Sequence, residues 1–260
     1  MSVCSDEFRQ FGGNTICIEV RCGDHVLIFD AGSGLPNAAK ALAAEGVKDF
    51  NLFFSHCHYD HICGLPHFKP MYLPGFTIGF WSGHLAGTMT TREMIYGYIR
   101  PPWFPVAPDI CRASMSTVDF KAGDVLEPFP NLSIKTGALV HPGGAIGYRV
   151  EWGGRSFAMI TDTEHTPGEL DPVVMDLISD VDLFLYDTTY LEDEIETYRG
   201  YGHSTWEQAV KLAQAAGAKR VGFMHHSPTR TDAELSEIGE MAAKRFEGAF
   251  CAYEGQTIEI

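Results

Sequence analysis

The sequence predicts one α/β domain, a layered sandwich with a polar site along one edge of its sheets. Three observations lead there. Short β-rich apolar runs alternate with stretches of helical period, and several of those runs stop at a His or an Asp. Three histidines and an aspartate also fall within six residues, His56-Cys57-His58-Tyr59-Asp60-His61.

The elements follow in order. Residues 14–21 and 25–30 are β-rich and joined by Cys22-Gly23-Asp24, a hairpin signal, and the second run ends in Asp30-Ala31-Gly32. The Ala-rich stretch 36–44 reads as a helix, and the apolar run 51–55 as a buried strand delivering the chain into the His-rich loop. The second half repeats this outline. Residues 132–140 form a strand ending at His141, 146–152 and 155–161 a hairpin across Gly153-Gly154 ending at Asp162, 169–179 a helix, and 182–186 a strand ending at Asp187. The stretch 204–216 has helical period with Ser204 as N-cap and Gly217 as stop. A strand over 220–224 then ends in His225-His226, a helix runs from 232 to about 246, and a last strand is expected near 256–260.

Residues 66–116 interrupt the alternation. Rich in Pro, Gly and aromatics, as in Pro101-Pro102-Trp103-Phe104-Pro105, they read as a long surface excursion beside the site, open between a lid and a dimerisation arm. No linker or low-complexity run divides the chain, so 1–260 is taken as one domain.

Composition sets further bounds. With 45% hydrophobic and 20% charged residues the chain is too apolar for disorder. No apolar run reaches the roughly 18 to 20 residues that span a bilayer, and the first residues carry no apolar signal-peptide core, so no membrane association is expected. The seven cysteines are odd in number, scattered and without a C-x-x-C pair, which suggests reduced thiols and a cytoplasmic protein. A net charge of −15 repels polyanions, and long nucleic acid is therefore expected not to be a partner.

The His-rich loop points to metal. His56 and His58 alternate along an extended segment and can face the same way, and the turn after them can aim Asp60 and His61 at a nearby point. Imidazole nitrogen with carboxylate oxygen suits zinc best, with manganese or iron as alternatives. His141, Asp162 and His225, all at strand ends, bring the candidates to seven, too many for one tetrahedral ion and suited to two. The reading places His56, His58 and His141 on one divalent ion and Asp60, His61 and His225 on the other, with Asp162 bridging. Such a site attracts an anion and makes a bridging water acidic enough to be a hydroxide nucleophile. Cys57 alternates with its histidine neighbours and should face the core. Asp30 is expected to hydrogen-bond the ligand loop, and His226 either to support the ligands or to contact a phosphate.

These residues resemble the metallo-β-lactamase superfamily: Phe29-Asp30-Ala31-Gly32, the 56–61 motif, His141, Thr161-Asp162-Thr163 and His225. The resemblance implies a four-layer αβ/βα sandwich with a dinuclear metal site at the sheet edges. Asp187-Thr188-Thr189-Tyr190, Gly202-His203-Ser204-Thr205 and His225-His226-Ser227-Pro228 are similar to the phosphodiesterase branch typified by ribonuclease Z. That similarity implies that His203 contacts the scissile phosphate or protonates the leaving oxygen, with Asp187 orienting it. Asp60 counts with them among the catalytic groups as well as among the ligands. Tyr186 departs from the histidine often found before the acid.

The function expected is a metal-dependent hydrolase, a phosphodiesterase on a small anionic substrate such as a cyclic nucleotide. Lactone, thioester or β-lactam hydrolysis on the same site is the alternative, and a non-catalytic metal or ligand sensor is the third reading. The branch's tRNA-processing members carry a basic arm, and the 21 positions from His141 to Asp162 leave no room for one there. A homodimer is compatible with the branch.

Overall fold

The computed structural model describes residues 2–260, which form two compact units, one of residues 14–121 and one of residues 2–13 with 122–260.

The first unit opens with a hairpin, β1 (Ile18–Cys22) and β2 (His25–Phe29), turning at Gly23 with φ 61°, a conformation that glycine adopts without strain. Then come α1 (Leu35–Ala44), β3 (Asp49–Phe54), α2 (Tyr59–Ile62), β4 (Thr77–Ser82), α3 (Thr91–Tyr98) and β5 (Ser114–Asp119). The sheet order is β1-β2-β3-β4-β5, parallel from β2 onward. Such strands read as continuous apolar runs because both faces are covered. Leu27, Ile28, Phe29 and Phe53 are fully buried, and Ile28, Phe54, Phe80, Leu35 and Leu42 share one cluster. The parallel register pairs Phe29 with Phe53 and Phe54 with Ser82. Asp30, Ser55 and the segment after Ser82 therefore leave the same edge of the sheet.

The surface excursion expected over 66–116 is corrected here: β4, α3 and the start of β5 lie within it, and β4 sits between β3 and β5. Its strand was hidden by brevity and by flanking Gly and Pro. The start of α3 is fixed by a reciprocal capping box between Thr90 and Glu93.

The second unit contains β6 (Val125–Phe129), β7 (Leu132–Leu139), β8 (Ala145–Trp152), β9 (Arg155–Ile160), α4 (Pro172–Ile178), β10 (Leu183–Asp187), α5 (Trp206–Ala216), β11 (Val221–Met224), α6 (Asp232–Arg245) and β12 (Ala249–Cys251). Its seven-stranded sheet has the order β12-β11-β10-β9-β8-β7-β6. Pairing is antiparallel from β6 to β9 and parallel from β9 to β12. Two antiparallel steps restore direction, so β7, β9, β10 and β11 all point the same way. Their ends, at His141, Asp162, Asp187 and His225, therefore share one sheet edge. Under the sheet, α4 and α5 pack Leu177, Val210 and Ala213 against Phe184, Phe223 and Tyr186 in one buried cluster. Removing such a side chain typically costs about 2–5 kcal/mol.

Three boundaries differ from expectation. The helix expected from 169 starts at Pro172, where Asp171 caps it by accepting from the Val173 and Val174 amides. The cap of α5 is Thr205, whose hydroxyl accepts from the Gln208 amide, because the Ser204 hydroxyl is engaged by His165 and Tyr186. Residues 256–260 form no strand, and the last one is β12, paired to β11. Gly217 ends α5 in the left-handed conformation, as expected.

Candidate metal centre

In the first unit, β3 runs into Ser55 and His56, and the short helix α2 turns Asp60 and His61 back. Asp30 organises this loop from the neighbouring strand end. Its carboxylate accepts from the Ser55 amide at 2.7 Å, from the Ser55 hydroxyl at 2.7 Å and from His61 Nδ1 at 2.8 Å. Asp30 holds φ at 60°, an uncommon value for a non-glycine residue. The Ser55 hydroxyl donates to Asp30, so it accepts from His56 Nδ1 at 3.0 Å. These bonds fix both tautomers and turn the Nε2 lone pairs of His56 and His61 away from Asp30 and Ser55. His56 Nε2 lies 3.0 Å from His58 Nδ1, and the His56 and His61 rings are 4.1 Å apart. The Asp60 carboxylate is 3.9 Å from His61 Nε2. Gly32 and Gly64 close the loop from below: a side chain on Gly32 would strike the Asp60 carbonyl, and one on Gly64 the Gly32 carbonyl.

In the second unit the cluster is assembled from strand ends. His141 Nδ1 donates to the Gly202 carbonyl at 2.8 Å. Thr189 donates its one hydroxyl proton to Asp187 or the His225 carbonyl, so it accepts from His225 Nδ1 at 3.0 Å. Both Nε2 atoms then carry lone pairs, and both face Asp162: His141 Nε2 is 3.6 Å from Oδ2 and His225 Nε2 is 3.4 Å from Oδ1. Asp162 and His225 both hold positive φ, at 42° and 56°.

Lone pairs facing a buried carboxylate repel unless a cation lies between them. Tetrahedral ligands about 2.1 Å from a zinc ion stand roughly 3.4 Å from one another, close to these separations. The donors Asp162, Asp187, His203 and His225 offer atoms within 4.8 Å of one another. The residues present therefore fit a divalent cation.

His203 stands apart from that pattern. Its Nδ1 donates to Asp187 Oδ2 at 2.7 Å and is 4.0 Å from Asp162. The fully buried Asp187 also accepts from the Thr189 and Thr163 amides, so its charge is matched by donors on both oxygens. The loop before His203 is pinned by Glu164, which accepts from the Gly200 and Gly202 amides at 2.6 and 3.0 Å. Gly202 adopts φ 84°, and a side chain there would collide with the His141 ring.

The remaining candidates lie elsewhere. His226 donates Nε2 to the Ala252 carbonyl and packs its ring on Phe11, and burial lowers its pKa to about 4. Cys57 packs against the first unit's core, where burial raises its thiol pKa. Two residues gained importance only in three dimensions. His84 meets the His56 ring edge-on at 6.5 Å. His165 holds Ser204, the neighbour of His203, at 2.7 Å, with Tyr186 on the same hydroxyl at 3.1 Å. Tyr186 sits before the acid, a departure from the branch pattern that was visible in the sequence without its partner.

The family model for the beta-lactamase superfamily domain matches residues 25–226, and the chain belongs to that superfamily, as a metallo-β-lactamase fold protein of α/β class with two sheets. It is a metal-dependent hydrolase by membership, with ribonuclease Z proteins among its relatives. Ribonuclease Z of Halorubrum lacusprofundi is 26% identical, over 92% of this chain and 89% of that protein. The metallo-β-lactamase fold protein YhfI of Bacillus subtilis has a TM-score of 0.73 at 18% identity, covering 97% of this chain and 94% of that one. Human tRNase Z, short form, has a TM-score of 0.63 at 19% identity, covering 100% and 96%.

These relatives overturn the expectation that long nucleic acid is not a partner, since proteins named for ribonuclease and tRNase activity align along nearly the whole chain. The physical error was to treat a whole-surface sum as a local field. At physiological ionic strength exposed charges are screened over about 8 Å, so a net −15 says little about a phosphate at the site. The short His141–Asp162 interval excludes one position for an arm, and nothing more. Among the described residues no helix is long and apolar enough to cross a membrane.

Proposed function

We propose that this protein is a metal-dependent phosphodiesterase with two divalent ions, zinc foremost, whose substrates include small and cyclic nucleotides; its relatives are named for activity on RNA. His56, His58 and His141 would hold one ion and Asp60, His61 and His225 the other. The two oxygens of Asp162, each facing a different histidine, support its role as the bridge. When bound, such ions polarise the phosphoryl group and lower the pKa of water. Asp30 and Ser55 orient the first unit's imidazoles, and Gly202 and Thr189 those of the second.

One observation favours phosphodiester chemistry over other hydrolyses: the His203–Asp187 pair beside Asp162. Asp187 fixes His203 with Nδ1 protonated and stabilises the imidazolium, so that Nε2 can deliver a proton to a leaving oxygen or bind a phosphoryl oxygen. A cytoplasmic location goes with this reading, on the strength of seven free thiols. The test is hydrolysis of bis(p-nitrophenyl) phosphate by zinc- or manganese-loaded protein beside His203→Ala with matched metal content. Turnover that collapses in the variant supports the reading. A fully metallated wild type that leaves the diester intact while opening a lactone or thioester overturns it.

A further inference from the structure

The segment between Asp187 and His203 carries three tyrosines that the mechanism leaves unused. Tyr190 and Tyr198 stack at 4.4 Å with 6° between their rings. Tyr201 meets Tyr198 edge-on at 5.9 Å, and Tyr190 meets His203 edge-on at 5.7 Å. The ladder thus starts at His203 and ends in water: Tyr198 is 39% exposed and Tyr201, three residues on, 62%. Exposed aromatic rings in a row are costly to leave bare, and here they adjoin the group proposed to meet the scissile phosphate.

The platform is held in place. Glu164 fixes the amides on either side of Tyr201, and Tyr201 donates its own amide to the Tyr198 carbonyl at 3.1 Å. A preformed surface of this kind loses little entropy on binding. Burial, reinforced by Asp187, raises the Tyr190 pKa to about 12, so its ring stays neutral. The segment also carries Glu192, Asp193, Glu194 and Glu196 against Arg199, which is paired with Glu196 at 2.6 Å. A phosphate gains nothing from that surface, whereas the uncharged face of a heteroaromatic ring does.

We infer that Tyr201, backed by Tyr198 and Tyr190, is a stacking subsite for a nucleobase of the substrate, next to the phosphate that His203 addresses. The inference rests on the phosphodiesterase reading for the placement of the phosphate. It is tested by calorimetry on the zinc-loaded protein with adenosine 5′-monophosphate and with ribose 5-phosphate, which lacks the base. Wild type should bind the nucleotide about 10-fold more tightly than the sugar phosphate. Tyr201→Ala should erase that difference by weakening the nucleotide alone, and Tyr201→Phe should keep it. An unchanged difference in Tyr201→Ala, an equal loss for both ligands, or a wild type that binds neither overturns the subsite. Failure of the phosphodiesterase reading shows separately, as absent diester turnover with the base preference intact. A short single-stranded RNA in the same titration shows the source of the base: a matching loss in Tyr201→Ala extends the subsite to RNA, and no loss confines it to small nucleotides.

Discussion

In the first unit, three histidines leave a single strand end within six residues, and two of them, His56 and His61, are oriented by the side chains of Ser55 and Asp30. In the second unit, His141, Asp162, Asp187 and His225 come from four strand ends that span 85 residues of sequence, and one orienting group is the backbone carbonyl of Gly202. A contiguous cluster needs one correct turn. A dispersed one needs a whole sheet in register, a pinned loop, and positive φ at two of its members. The two clusters should therefore fail differently when perturbed.

The largest effect should follow from Asp162, whose carboxylate faces both His141 and His225. Asp162→Ala should lower diester turnover by about 10³ or more and reduce bound metal, read by elemental analysis beside activity. Chelation of wild type should reproduce the loss, and added zinc should reverse it. His203→Ala should lower kcat by roughly 10² to 10⁴ with metal content unchanged, because its Nδ1 is committed to Asp187. Equal metal loss in both variants would break the distinction between ligand and proton donor. Smaller effects should separate the supports. Asp30→Asn weakens the hold on Ser55 and His61 together and should cost about 10- to 100-fold in metal affinity, measured by competition with a chelator. Thr189→Val removes the hydroxyl that accepts from His225 Nδ1 and donates to Asp187 or the His225 carbonyl, leaves the other donors to Asp187 in place, and should fall at the low end of that range. If Thr189→Val costs as much as Asp30→Asn, the second cluster depends on single contacts more than its dispersed construction implies.

The contrast also explains what the sequence could reveal. The 56–61 cluster was legible because its spacing is local and three histidines with an acid have few other uses. His141, Asp162 and His225 were legible as strand-end residues, since a periodic apolar run announces its own end. The strand 77–82 was missed because six residues among Gly, Pro and aromatics give too short a period to register. Ser204 was expected as a cap because Ser and Thr are equivalent in sequence; only contacts with His165 and Tyr186 assign the cap to Thr205. His84 and His165 were invisible as partners because their neighbours are far along the chain. The charge argument failed for a related reason: a total carries no positions.

The smallest effect sharpens the contrast through pH. His165 is buried beneath the His203 loop, and burial is the main cause of its lowered pKa. In the unfolded chain a histidine titrates near 6.5, so as pH falls through that value the unfolded state takes up the proton first. Stability is then lost with falling pH, by at most about 1.4 kcal/mol per pH unit for this one group, down to its depressed folded value. His165→Gln keeps a polar partner for Ser204 and removes the titration. Its urea-unfolding free energy should fall less steeply than that of wild type between pH 7 and 5, even if the variant is less stable at pH 7. An identical slope would mean that the His165–Ser204 contact opens before the second unit unfolds, so that the loop carrying His203 is held by Glu164 and Asp187 alone.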